Sequence, residues 1–254
     1  MSTVIYPSPI FGPVHSRRLG VSLGINLLPP DGKVCSFDCI YCECGFNADR
    51  RPQSKLPTHE EVITALEARL LDMKANGPAP DVLTFAGNGE PTSHPQFAAI
   101  IADVIRLRNE YFAQAKVSVL SNSTFIHRPE VREALMTVDN NILKLDTIDP
   151  IYINKVDRPN AQYDVRRIIE AMKSFNGNFV LQTMFLKGPG INSLAADNLE
   201  AWRNIVRELR PREVMMYTLD RPAPAEGLEK VPVESMEEAA TPLIQEGFKV
   251  QIKG

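Results

Sequence analysis

The chain has 254 residues, of which 44% are apolar and 23% charged, and a formal net charge of −3. That length suits one large α/β domain or two small ones with an ample core, and the balance is that of an ordinary globular protein. The charge excludes polyanion binding as a property of the whole chain but leaves room for a local basic patch. No window approaches the roughly 18 uninterrupted apolar residues of a membrane-spanning helix. The opening MSTVIYPSPIFG has neither a basic segment nor an apolar run, so it does not read as a secretory signal, and a cytoplasmic location is expected.

From the N-terminus, residues 21–28 read as a short apolar strand, followed by a loop rich in Pro, Gly and Cys to about Pro57. Thr58 caps a helix with Glu61 three residues on, a capping-box pattern, and apolar residues recur at helical spacing to Met73. Residues 81–85 form the next strand, ending at Gly87-Asn88-Gly89, and His94-Pro95 opens a second helix striped by Phe97, Ile100, Ile101, Val104, Ile105 and Leu107. Strands at 116–120, 141–145, 179–185 and 213–217 follow, separated by helices at 129–136, 165–175 and 194–209. The tail reads as a loop, a helix at 235–246 and a last short strand. Short, apolar, β-branched strands alternating with helices imply parallel pairing with right-handed crossovers. Two architectures satisfy this pattern: an open doubly wound sheet, or a full or partial β/α barrel. Polar residues cluster just after the strands, where both architectures place ligands.

All four cysteines fall between Cys35 and Cys44. A disulfide scaffold would spread them along the chain and need an oxidising compartment. A structural zinc site needs four closed ligands, usually from two separated knuckles, and only Cys39 and Cys42 make one. A redox dithiol leaves Cys35 unexplained. An iron–sulfur cube on Cys35, Cys39 and Cys42 fits best, because three protein thiolates leave one iron open to an exogenous chelate such as the amine and carboxylate of S-adenosylmethionine. Cys44 is then a spare thiol or a participant in substrate chemistry.

Cys35-x3-Cys39-x2-Cys42, with the aromatic Tyr41 before the last cysteine, resembles the signature of radical S-adenosylmethionine (SAM) enzymes. Gly87-Asn88-Gly89-Glu90-Pro91 is similar to the glycine-rich element of that family. The resemblance implies that backbone there approaches the ligand without Cβ clashes, and that a carbonyl and Glu90 receive the methionine ammonium. Ser121-Asn122-Ser123 stands where relatives carry a turn facing the ribose, and Asp146 where ribose or substrate is contacted. Gln182 shares a strand face with Met184 and, on a barrel interior, needs a polar partner that a ligand could supply.

The likeness extends to one subgroup through Phe11-Gly12-Pro13-Val14, Lys144-Leu145-Asp146, Asp157-Arg158-Pro159, Gln182-Thr183-Met184-Phe185 and the stretch from Tyr217 to Pro222. These resemble the uncharacterised branch of radical SAM enzymes related to wyosine-tRNA synthases, over about residues 11–231. What the resemblance implies is a partial (β/α)6 TIM-like barrel of parallel strands inside outer helices. It is one domain over residues 1–254, with 232–254 as a C-terminal extension. It further implies a [4Fe–4S] cluster, S-adenosylmethionine and an external electron donor of flavodoxin or ferredoxin type. The sequence holds no second cysteine cluster and no appended RNA-binding or flavodoxin-like domain, which counts against a wyosine-type reaction.

Three functions stay open at this level. They are RNA or nucleoside modification, activation of a glycyl-radical protein partner, and a non-catalytic zinc or iron–sulfur protein. His15, Arg17 and Arg18 are either anion ligands or solvated charges, whereas Arg158 and Arg221 are candidates for a substrate carboxylate or phosphate. Met184, Met215, Met216 and Trp202 read as packing.

Overall fold

A strand order that follows chain order distinguishes the two architectures. The computed structural model describes residues 3–16 and 20–254. Its sheet begins with β1 (Ile10–Ser16), antiparallel to β2 (Gly20–Ile25). It then runs in parallel through β3 (Val82–Phe85), β4 (Lys116–Ser121), β5 (Asn140–Lys144), β6 (Val180–Gly188), β8 (Glu213–Thr218) and β10 (Val250–Lys253). Two short strands, β7 (Ile191–Asn192) and β9 (Glu229–Lys230), pair antiparallel with the overhanging end of β6. A doubly wound sheet reverses its strand order at a switch point. This one does not, so every crossover advances the same way and the sheet curls. Its path ends at β1 and β10 without joining them, which makes it a partial, open barrel.

Alternation along the strands sorts the two faces. Leu23, Ile25, Leu83, Phe85, Val117, Val119, Leu143, Leu181, Val214 and Met216 join one large core with residues of the surrounding helices. Those helices are α1 (His59–Asn76), α2 (Phe97–Tyr111), α3 (Pro129–Thr137), α4 (Pro150–Val156), α5 (Val165–Lys173), α6 (Ala196–Leu209) and α7 (Val233–Gln245). On the opposite, concave face Ile142, Val180 and Met215 form a small separate cluster with Leu120. Polar pairs share that face: Ser22 Oγ lies 2.8 Å from Thr84 Oγ1, and Asn140 Nδ2 donates to Ser118 Oγ at 2.9 Å.

The sequence expectations for the six strands and their helices match these elements to within a few residues at the ends. The capping box is present, with Glu61 N donating to Thr58 Oγ1 at 3.2 Å and Thr58 N to Glu61 Oε2 at 2.6 Å. Four elements escaped the reading. Pro13 hides β1, since proline is tolerated only on an edge strand such as this. Helix α4 is a short segment opened by the Asp149 cap and Pro150. The last two, β7 and β9, are only two residues each. The second helix starts at Phe97, after a 3-10 turn over Pro91–Ser93, and not at His94. The tail, expected as an extension, packs α7 on the core and adds β10 to the same sheet. Among the described residues no helix is long and apolar enough to cross a membrane.

Candidate active site at the barrel mouth

The loop after β2 carries the cysteines across the carboxyl ends of the strands, and it is fastened on every side. Val34 pairs with Gly89 as an isolated parallel bridge, and Phe37 with Pro159 as an antiparallel one. Ile40 N donates to Val156 O at 2.9 Å, Ala225 N to Ile40 O at 3.2 Å, and Val4 N to Glu43 O at 2.8 Å. The β3 turn, the end of α4, the segment after β8 and the N-terminal segment therefore all hold one loop. Asn47 closes it internally, with Nδ2 on the carbonyls of Cys35 and Phe37 at 3.3 and 3.1 Å.

All four cysteines are free thiols; Cys39 and Cys44 are buried, Cys35 and Cys42 partly so. The donor set on this turn is sulfur, the chemistry of an iron–sulfur site. No three His, Cys or carboxylate side chains among the described residues converge on a single metal ion. A cube asks for no such convergence, since each thiolate takes its own iron. Burial pushes the Cys35 thiol up to about 12 and the Cys39 thiol well above its ordinary value, with Lys33 and Lys144 respectively pulling them back. Cys42 moves the other way, to about 6, chiefly through a hydrogen bond from Cys44 and then the charge of Lys33. Cys44 thus sits beside Cys42, its Sγ also 3.4 Å from the Gly87 carbonyl.

Gly87–Glu90 meets the cysteine loop directly. A Cβ on Gly89 (φ +140°) would stand 1.8 Å from the Val34 carbonyl oxygen, so only glycine lets the two loops touch. Gly87 (φ +128°) makes room in the same way for Asn26. The close approach required here is between backbone and backbone. Asn88, expected near the cofactor, is fully buried and directs its side chain to Tyr6 and Pro29: Nδ2 donates to their carbonyls at 2.9 and 2.8 Å, and Oδ1 accepts from Tyr6 N at 2.8 Å. Glu90 is 1% exposed. Its Oε1 accepts from Thr92 N at 3.0 Å and Ser121 Oγ at 2.9 Å, and its Oε2 from Asn122 N at 2.6 Å. Burial raises its pKa against these hydrogen bonds. The carboxylate braces the β3 turn to the β4 turn.

The β4 turn reaches the cysteines as well. Asn122 Nδ2 lies 3.5 Å from Cys35 Sγ and donates to Ser36 Oγ at 2.8 Å, while Ser123 Oγ donates to Lys144 O at 2.9 Å. Beyond it, Asp146 is buried at the end of β5, accepting from Met184 N at 3.0 Å and, through a short hydrogen bond, from Tyr41 OH. Burial and the neighbouring Asp146 charge push the Tyr41 pKa well up. Lys144 Nζ stands 3.0 Å from Asp146 Oδ2 and in short contact with Asp157 Oδ1, itself 3.9 Å from Cys39 Sγ. Gln182 is buried on the concave face, its Nε2 3.5 Å from Met215 Sδ, opposite Lys144 in the β5–β6 register.

Cys35, Cys39, Tyr41, Gly89, Glu90, Ser121, Asn122 and Asp146 thus form one continuous network. Asn88 faces the N-terminal segment, and Gln182 lies on the barrel wall. Arg221 donates to Tyr6 OH at 2.6 Å and to Glu43 Oε2 at 2.5 Å, clasping the rim. Arg158 is exposed and stacks on Phe46, 5.4 Å from its centroid. His15 is exposed on β1, and Arg17 and Arg18 lie outside the described residues. Trp202 packs on Phe185 and donates to Thr183 Oγ1 at 3.0 Å, as a core residue would. Sequence reasoning missed Lys33, Tyr6 and the role of Lys144. The one available signal was a lysine directly after the apolar pair Ile142-Leu143 in the strand NNILK.

The sequence model of the radical SAM superfamily matches residues 30–197, which contain the cysteine loop and all of the network around it. A UPF0026 protein of Helicobacter pylori strain J99 is 32% identical over 218 residues, covering 84% of this chain and 67% of its own length. Among solved structures, SuiB of Streptococcus suis bound to S-adenosylmethionine superposes with a TM-score of 0.66 at 16% identity, over 90% of this chain and 50% of that one. A radical SAM methyltransferase from Sphaerobacter thermophilus gives 0.67 at 16% identity, over 91% and 65%. The chain therefore spans about half the length of SuiB and about two thirds of the other two. At these identities the two solved structures speak for the fold, a partial TIM barrel. With two thirds of its residues under the family's own sequence pattern, the cysteine loop and the Gly87–Glu90 turn included, the chain belongs to the radical SAM superfamily.

Proposed function

We propose that the protein is a radical SAM enzyme holding a [4Fe–4S] cluster on Cys35, Cys39 and Cys42. When bound, such a cluster supplies the electron that splits S-adenosylmethionine into methionine and a 5′-deoxyadenosyl radical, which takes hydrogen from the substrate. The observation that carries the reading is the direct contact of the cysteine loop with the Gly87–Glu90 turn, Val34 on Gly89, and with the Ser121–Ser123 turn, Asn122 on Cys35. It supports the reading because the sulfur-bearing loop and the glycine turn meet backbone to backbone. The chain's own residues fix the loop through Val34, Ile40, Glu43 and Asn47. With Glu90 engaged by Ser121, Thr92 and Asn122, backbone carbonyls of the turn are the better candidates to receive the methionine ammonium. The electron comes from a flavodoxin- or ferredoxin-type donor, and the cytoplasm is the matching compartment. For the hydrogen donor we favour an RNA or nucleoside, on the subgroup resemblance of Lys144–Asp146 and Asp157–Pro159.

Anaerobic reconstitution with iron and sulfide, followed by dithionite and S-adenosylmethionine, tests this. Wild-type protein is expected to show the cluster's EPR signal and to release 5′-deoxyadenosine, and Cys39→Ala to release none above background. Equal release from both, or a wild-type protein that takes up zinc and no cluster, sinks the proposal. Candidate RNAs added to the same assay test the substrate class by mass shift.

A further inference from the structure

Two buried lysines flank the cysteine loop, and neither has a part in the cysteine motif or the Gly87–Glu90 turn. Lys33 is 3% exposed. Its Nζ donates to Gly45 O at 2.7 Å and pairs with Asp38 Oδ1 at 3.3 Å. That carboxylate is already engaged, accepting from Asn47 N at 2.8 Å. Lys33 shares the lining of a cavity of about 410 Å3 with Cys35, Asp38 and Arg51. Lys144 approaches from β5, on the barrel side. It is 9% exposed, pairs with Asp146 and Asp157, and stands 4.9 Å from the Phe37 ring centroid and 5.7 Å from that of Tyr41.

Taking an ammonium out of water is unfavourable by several kcal/mol unless negative charge meets it. Lys33 stands two residues before Cys35, spans the cysteine loop to the Gly45 carbonyl at 2.7 Å and meets the Asp38 carboxylate at 3.3 Å. Lys144 meets Asp146 and Asp157, and Asp157 Oδ1 lies 3.9 Å from Cys39 Sγ. The carboxylates of Asp38, Asp146 and Asp157 meet the two ammonium groups, and neutral thiols add no charge to them. Thiolates bound to a cluster do, and one-electron reduction adds another negative charge to the same small volume.

We propose that Lys33 and Lys144 are the counter-cations of the cysteine-bound cluster, positioned on its outer and barrel sides to raise its reduction potential. Lys33 is the stronger of the two, because Lys144 already faces two carboxylates. The inference rests on the cluster reading above. Its physics is that a fixed positive charge in a low-dielectric site favours the more negative, reduced state, and that local charge and hydrogen bonds to sulfur set iron–sulfur potentials.

Potentiometric EPR titration of reconstituted wild type, Lys33→Gln, Lys33→Arg and Lys144→Gln provides the test, with iron, sulfide and circular dichroism measured on the same samples. Glutamine keeps a donor for Gly45 O and removes the charge. Lys33→Gln is expected to load normally and to shift the reduction equilibrium at least tenfold toward the oxidised cluster, about 59 mV more negative for one electron. Lys33→Arg is expected to stay near wild type, and Lys144→Gln to shift in the same direction by less, since a neutralised Asp157 offsets part of the loss. A fully loaded Lys33→Gln protein at the wild-type potential overturns the inference. If Lys33→Gln takes up no cluster, a loaded Lys33→Arg at the wild-type potential supports it, and loss of the cluster from both overturns it. Wild-type protein that binds no cluster refutes the underlying reading instead, so the two failures are distinguishable.

Discussion

A single missing methyl group holds the two motifs together. With Gly89 at φ +140° and the Val34 oxygen where a Cβ would sit, Gly89→Ala must both enter a backbone region closed to side chains and push the cysteine loop away. Backbone strain of this kind is worth about 1–3 kcal/mol, and overpacking in a tight contact a similar amount. Urea unfolding of the cluster-free protein is therefore expected to show Gly89→Ala less stable than Gly77→Ala by about 2 kcal/mol. Gly77 also has positive φ (+66°), but nothing lies within 4 Å of its would-be Cβ. Equal midpoints for the two variants would show that the Val34 contact yields freely. Glu90 is instructive in the same way. A buried carboxylate with this many donors is a structural brace before it is a ligand, because releasing it to bind a cation would strand Ser121 Oγ and Asn122 N.

Where α1 and α2 begin, His94 joins the two elements. It is buried, Gln96 N donates to its Nδ1 at 3.1 Å, and its Nε2 lies 2.9 Å from the Pro57 carbonyl. Both contacts suit a neutral ring with the proton on Nε2, and burial lowers its pKa below 6.5. In the unfolded chain the ring binds a proton more readily than in the folded one. The stabilisation is therefore complete above pH 6.5 and declines as pH falls through that value toward the lower folded pKa. Folding free energy measured between pH 7.5 and 5 is expected to decline with acid, and His94→Gln to flatten that decline while lowering stability at neutral pH. An identical pH slope in the variant would assign the acid sensitivity elsewhere. Because α1 leaves the cysteine loop and α2 leaves the Gly87–Glu90 turn, this ring also fixes how those loops are spaced.

At the scale of the molecule, the open barrel is closed across its mouth by loops and not by strands. Arg221, Glu43 and Tyr6 tie the segment after β8, the cysteine loop and the N-terminal segment into one rim. The Arg221 side chain is half exposed, so the ion pair itself is worth only about 0–1 kcal/mol. Its consequence is local order: Arg221→Ala is expected to leave the unfolding midpoint nearly unchanged but to speed amide exchange in residues 219–228 and in the loop at 40–44. Unaltered exchange in both segments would mean that the backbone bonds of Ala225 to Ile40 and Val4 to Glu43 hold the rim without it. Much of this architecture was legible in the residues. Alternating strands and helices, the Thr58 capping box and the Cys35, Cys39, Cys42 spacing are local patterns, set by backbone periodicity and by the reach of a short loop, so an α/β fold and one cysteine-bearing loop were readable from them directly. What only the tertiary structure decided was which distant groups meet: the curl of the sheet, the turning of Asn88 toward Tyr6, the bracing of Glu90, and the arrival of Lys33 and Lys144 beside the cysteines. Those contacts join residues far apart in the chain. Burial and strand order bring them together, and no local pattern of side chains encodes either.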